Sequence, residues 1–186
     1  MMSKTIKAAL LAGAVAFAVP AFAKSTVMVG GQEMFASKTI VENAVNSADH
    51  TTLVAAVKAA GLVDTLSGKG PFTVFAPVNA AFNALPAGTV DTLLKPENKG
   101  QLTGVLTYHV VAGSVTLDDL KAKLKKGHGQ AQLKTVAGGT LTASANGPNN
   151  IVLKDEAGGM ANITIYDVMQ SNGVIHSIDK VLLPKS

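Results

Sequence analysis

The spacing of apolar residues changes once along this chain, and that change constrains the fold more than any other feature. Before about Gly127, apolar residues recur every three to four positions; from Gln130 onward they alternate. Ile40, Val41, Ala44, Val45 and Ala48 mark one helix, with Ser37 as its expected N-cap. Leu53, Ala56, Val57 and Ala60 mark a second, which Gly61 stops. After the Gly68-Lys69-Gly70-Pro71 turn, Phe72 to Phe75 reads as a short strand that Pro77 ends, and Asn79 as the cap of a brief helix through Leu85. Val90 to Leu94 and Glu97 to Leu106 read as helices, the second passing into a strand from Thr107 to Val111. Thr116 is expected to cap an amphipathic helix carrying Leu117, Leu120 and Leu124. Beyond it, Ala131 to Val136, Thr140 to Ala145, Ile151 to Lys154, Asn162 to Tyr166 and Val174 to Leu183 read as strands. Gly138-Gly139, Asn146-Gly147-Pro148, Gly158-Gly159 and Asn172-Gly173 supply the turns between them. A helical first half followed by a β meander predicts a single α+β domain, with helices packed beside a mostly antiparallel sheet.

The first residues read as a secretory signal. Lys4 and Lys7 precede an apolar run from Ala8 to Val19, and Ala21-Phe22-Ala23 forms a small-x-small cleavage site. Removal of residues 1–23 would leave an exported chain, extracellular or periplasmic, with residues 24–34 as a loosely held leader and the domain at 35–185. The chain has no cysteine, so packing alone must hold the fold. The net charge of +4 falls to about +2 once Lys4 and Lys7 are gone, too little by itself to demand a polyanion. All sixteen basic residues are lysine and there is no tryptophan, which argues against nucleic acid: phosphate and guanine recognition leans on the arginine fork. No second long apolar run follows Ala23, so no integral membrane segment is expected in the mature chain.

Three segments carry a resemblance. They are Thr73-Val74-Phe75-Ala76-Pro77-Val78-Asn79-Ala80-Ala81-Phe82, the Tyr108-His109 pair, and Asn172-Gly173-Val174-Ile175-His176-Ser177-Ile178-Asp179 running on to Pro184. In this order and at these distances they resemble the signature stretches of the fasciclin domain family, and the similarity extends from about Phe35 to Pro184. The resemblance implies two mostly antiparallel β sheets forming a wedge with several α-helices packed alongside. It also implies that the first and third segments lie close together in the core. Thr73, Phe75, Pro77, Asn79, Phe82, Val174, His176, Ile178 and Asp179 are thus expected to be structural.

Candidate chemistry is sparse. The four histidines, His50, His109, His128 and His176, show no metal-ligand spacing, and buried imidazoles bonded to backbone are the expectation for His109 and His176. His176 and Ser177 are adjacent on a strand and so point to opposite faces. There is no nucleophile elbow and no phosphate-cradling loop. No enzyme activity, metal or cofactor is expected. Lys121, Lys123, Lys125 and Lys126, near His128, form the one charge run, read either as the solvated face of its helix or as a foot for acidic polysaccharide or lipid headgroups. Tyr166-Asp167-Val168 falls where animal relatives of the family carry an adhesive Asp-Ile pair. The resemblance therefore places a contact surface at Tyr108, His109, Asp167 and Val168. What it implies for function is adhesion to a protein or to a cell-surface or matrix component. The alternative is carriage of an apolar small molecule such as a carotenoid or lipid.

Overall fold

A computed structural model describes residues 26–147 and 150–185; the expected signal peptide lies outside them. The residues expected to be a loose leader instead form a hairpin, β1 (Val27–Val29) and β2 (Gln32–Met34). Gly30 and Gly31 turn it with φ of 58° and 73°, values that glycine adopts without a steric penalty. Val29 and Met34 are buried and join the core, so the chain is tied down eight residues earlier than the expected domain start at Phe35. The turn lies directly on the chain entering the second helix: a Cβ at Gly30 would sit 2.7 Å from the Asp49 amide nitrogen.

Helix α1 (Ile40–Ala44) starts later than expected and is capped by Thr39, not Ser37. Thr39 Oγ1 accepts from the Glu42 amide and the Glu42 carboxylate accepts from the Thr39 amide at 2.7 Å, a reciprocal box that satisfies two orphan donors. A 3-10 turn at Ala48–His50 leads into α2 (Thr51–Ala60), which buries Leu53, Ala56, Val57 and Ala60 and ends at Gly61 with φ of 72°. After α3 (Val63–Ser67), strand β3 (Phe72–Pro77) runs into α4 (Asn79–Asn83). Asn79 does not cap its own helix. It is already the first helical residue, and its side chain reaches the start of α2, accepting from the Thr52 amide at 3.0 Å and donating to the Ala48 carbonyl at 2.8 Å.

Helix α5 (Thr89–Leu93) precedes α6 (Lys99–Tyr108) and β4 (Val110–Ala112). The strand expected from Thr107 is displaced by three residues, because α6 continues through Tyr108 and His109 is its C-cap. The β-branched run there reads as strand, but Thr107 Oγ1 bonds back to the Thr103 carbonyl at 2.7 Å and stays helical. Helix α7 (Leu117–Lys126) is capped by Thr116 as expected, with Asp119 completing the box.

The remaining strands are β5 (Gln130–Lys134), β6 (Thr140–Ala145), β7 (Ile151–Lys154), β8 (Met160–Gln170) and β9 (Gly173–Ile178). Seven strands form one sheet in the order β4-β3-β9-β8-β7-β6-β5, antiparallel throughout except for the parallel β3–β9 pair. Its two ends approach each other, Val111 bridging to Thr135 and the Val136 amide donating to the Val110 carbonyl at 2.7 Å. The sheet therefore curls toward closure. The expected α+β wedge is present, with helices beside the large sheet and the small hairpin sheet.

The interior has two parts. One lies between the helices, the hairpin and one face of β3 and β9, and includes Leu53, Val74, Phe82, Leu106, Val168 and Ile175. The other lies inside the curl beneath α7, and includes Phe75, Tyr108, Leu120, Leu141, Ile178 and Leu182. All six residues of β9 are buried, as a strand apolar on both sides must be. The last strand was expected to reach Leu183 but stops at Ile178, where the Asp179 carboxylate accepts from the Asn162 amide and side-chain amide at 2.8 and 2.7 Å. Close approach of the parallel pair explains one glycine: a Cβ at Gly173 would lie 2.0 Å from the Phe72 carbonyl oxygen.

Candidate functional site

The family signature residues meet around β3 and β9, and their polar atoms are turned inward. Thr73 Oγ1 accepts from the Val115 amide at 2.8 Å and donates to the Gly113 carbonyl at 2.6 Å, fixing the segment that enters α7. His176 lies opposite Phe75 in the parallel register and stacks on its ring, centroids 5.6 Å apart. Its Nε2–H donates to the Val115 carbonyl at 2.8 Å, and its Nδ1 accepts from the Asp167 amide at 3.2 Å. Both ring nitrogens are engaged only when the imidazole is neutral, and burial holds its pKa below the usual histidine range.

Tyr108, His109 and Val168 are all buried, so the expected contact surface of Tyr108, His109, Asp167 and Val168 does not form. The Tyr108 hydroxyl donates to the Thr140 carbonyl at 3.0 Å and accepts from the Glu156 amide at 3.1 Å, bolting α6 to the meander. His109 Nδ1–H donates to the Val105 carbonyl at 2.8 Å and Nε2 accepts from the Leu182 amide at 3.0 Å. Burial lowers its pKa to about 4. Next to it, the Asp155 carboxylate accepts from the Leu183 amide at 2.9 Å, so the two residues together clamp the C-terminal segment.

Asp167, half-buried, sits at an irregularity of β8 with φ of 54°, and its carboxylate accepts from the Leu117 amide at 2.7 Å. That amide is one of the orphan donors at the start of α7. Asp167→Ala is expected to destabilise the fold by about 2 kcal/mol, since alanine loses the acceptor and tolerates the left-handed conformation poorly. Asp167→Asn keeps both properties and should lose less than half as much. Urea unfolding of the two variants measures the difference.

Ser177 points away from His176, as alternation requires, and its hydroxyl is 3.4 Å from His50 Nε2; Ser47 Oγ is 2.8 Å from His50 Nδ1. This Ser–His–Ser chain was not foreseen, because its members are 127 residues apart and meet only when β9 lies beside the turn before α2. All three are buried, and the third member is a serine rather than a carboxylate, so the chain does not supply a base oriented by an acid to a substrate. Among the described residues, no three histidine, cysteine, aspartate or glutamate side chains are grouped to hold a metal. No described helix is long and apolar enough to cross a membrane.

An apolar cavity of about 50 Å³ lies beneath the β1–β2 hairpin, walled by Val29, Met34, Leu53, Val57, Val74 and Ile175 among others. A space of this size is well below the roughly 150 Å³ that receives benzene.

Comparison with known proteins agrees with this architecture. The family profile described as Fasciclin domain matches residues 48–184. "Protein sll1483" of Synechocystis sp. is 50% identical over 146 residues, covering 78% of this chain and 73% of the relative. "Immunogenic protein MPB70" of Mycobacterium bovis is 36% identical, covering 75% of this chain and 65% of the relative. "Transforming growth factor-beta-induced protein ig-h3" of Sus scrofa is also 36% identical, over 71% of this chain and 17% of its own length. Among solved structures, a FAS1 domain pair from the insect cell adhesion molecule Fasciclin I superposes with a TM-score of 0.67 at 21% identity, covering 78% of this chain and 51% of that one. With the profile spanning most of the sequence and the signature strands side by side in the interior, this chain belongs to the fasciclin domain family.

Proposed function

We propose that this chain is an exported, non-catalytic binding module that mediates adhesion, joining a cell to another cell, a surface or a matrix through a protein or cell-surface component. The observation that carries the reading is family membership, together with a structural neighbour from an insect cell adhesion molecule. The disposition of polar groups supports it. The polar atoms of Thr73, Tyr108, His109, His176 and Asp179 are taken up in internal hydrogen bonds, which leaves recognition to the exterior. Deletion of the gene, with complementation, should reduce aggregation or attachment of the producing cells. Unchanged attachment after deletion would refute the reading.

A second reading, carriage of an apolar small molecule, rests on the cavity beneath the hairpin. Mass spectrometry of the native protein from its own cells, under non-denaturing conditions, should then show a bound lipid or pigment. A mass equal to the processed chain alone removes it.

A further inference from the structure

Six of the sixteen lysines, and none of the twelve acidic residues, fall between Leu120 and Lys154. That stretch is one contiguous lobe: most of α7, then β5, β6 and β7, with α7 packed on β5 and β6. A chain of small net charge thus has a local excess of lysine here, bordered by Asp118 and Asp119 before it and Asp155 and Glu156 after it. Lys121, Lys123, Lys125, Lys126, Lys134 and Lys154 are all exposed.

Among the described residues, the helix packed on this lobe is α7, on the inner side of the sheet, which leaves much of the outer side exposed although Val152 there is buried. Alternation in β5 turns Ala131 and Leu133 inward and Gln130, Gln132 and Lys134 outward. Pairing register extends this outward face: Gln132, Thr142, Lys154 and Met160 form one row across four strands, and Lys134 stands opposite Thr140. Helix α7 lies on the inner side of these strands, Leu120 and Leu124 packing with Leu133 and Leu141, and the chain passes from it to β5 where the Gly129 carbonyl accepts from the Ala145 amide. Five carboxylates stand at its margins: Asp118 and Asp119 lie in the first turn of α7, Asp119 accepting from the Thr116 amide, while Asp155, Glu156 and Asp179 accept from the Leu183, Thr140 and Asn162 amides.

We propose that this face, on which Lys134 and Lys154 stand, is a docking surface for an acidic polysaccharide. This deepens the adhesion reading and rests on it. Hydroxyl and amide side chains on the outside of the sheet match sugar hydroxyls as donors and acceptors, and the lysines match the carboxylates of the polymer. Among the described residues, the row itself exposes one large apolar side chain, Met160, with Val136 and Met169 exposed elsewhere on or beside these strands, which gives a bilayer little to receive. Among the described residues, β5, β6 and β7 carry no aromatic ring on which a base could stack, and Tyr166 of β8 packs against the interior.

The experiment measures binding of the mature chain to alginate, to neutral dextran and to vesicles containing phosphatidylglycerol, at low and at physiological salt. Alginate should bind, more weakly as salt rises, and dextran should not. Lys134→Gln with Lys154→Gln should weaken alginate binding roughly tenfold. Lys69→Gln with Lys95→Gln removes the same charge from exposed sites outside the lobe and should leave it nearly unchanged. Equal losses in both pairs would mean that net charge alone is read, and would overturn the proposal. So would binding to vesicles but not alginate. Attachment assays on cells carrying the Lys134/Lys154 pair separate the two readings. If the gene is needed for attachment but the pair has no effect, this face is wrong and adhesion stands; if deletion itself has no effect, adhesion fails.

Discussion

Phe75→Ala is expected to lower the unfolding free energy by about 3–5 kcal/mol, a large part of the 5–15 kcal/mol typical of a single domain. The ring is fully buried and stacks on His176, and it lies in the half of the interior that β3 and β9 share with Tyr108, Ile178 and Leu182. Removing it leaves a cavity at the one parallel pair in the sheet, where neither strand can shift without disturbing the other. At roughly 2–4 °C per kcal/mol for a chain of this size, the melting temperature should fall by on the order of 10 °C. Phe75→Leu, which retains most of the volume, should lose less than half as much. Thermal melts followed by circular dichroism measure both, and a Phe75→Ala protein that melts within 2–3 °C of the parent (about 1 kcal/mol) would place the ring outside the core.

Acid should unfold the protein well before its carboxylates are all protonated. Burial keeps His50, His109 and His176 neutral, their pKa values below that of an unfolded histidine. An unfolded His109 takes up a proton near pH 6.5, whereas the folded residue resists until about pH 4. Between those values the unfolded chain binds more protons, so stability declines as pH falls. The contribution is fully present above about pH 6.5 and is lost progressively toward pH 4, amounting to roughly 3 kcal/mol for His109 alone. His50 and His176 act in the same direction. Protonated His109 would lose the acceptor for the Leu182 amide, and protonated His176 the acceptor for the Asp167 amide, so the C-terminal segment and the approach to α7 should loosen first. Urea midpoints at pH 7.5 and pH 4.5 should differ strongly. His109→Gln, less stable at pH 7.5, should show a shallower decline; a pH-independent midpoint in the parent would mean that the imidazoles are not buried.

The order of elements was legible in the sequence because each half obeys one period. The switch at Gln130 marks the start of β5, and Thr116 with Asp119 announced α7. Errors arose where a tertiary partner outweighed local preference. Asn79 looks like a cap for the helix it begins, yet the nearer unsatisfied donor is Thr52 on α2. Ser37 is a plausible cap until Glu42 selects Thr39 three residues before it. The leader escaped notice because three-residue strands carry too little pattern, although Gly30-Gly31 is itself a hairpin signal. The candidate site was read least well. The resemblance placed a contact surface at Tyr108 and His109, but α6 ends where both side chains turn into the interior, and His109 is the buried imidazole that its apolar neighbours suggest. The chain from Ser47 through His50 to Ser177, and the lysine face spread over several strands, depend on register, which no local motif encodes.

The account rests on β3 and β9 lying side by side as the buried centre, so that recognition is left to the exterior. Nuclear Overhauser contacts in the native protein test this directly. The ring of Phe75 should show contacts to the His176 ring, and the amides of β3 and β9 should exchange only through global unfolding. Absence of those contacts, or rapid exchange of the β9 amides while the helices remain protected, would contradict it.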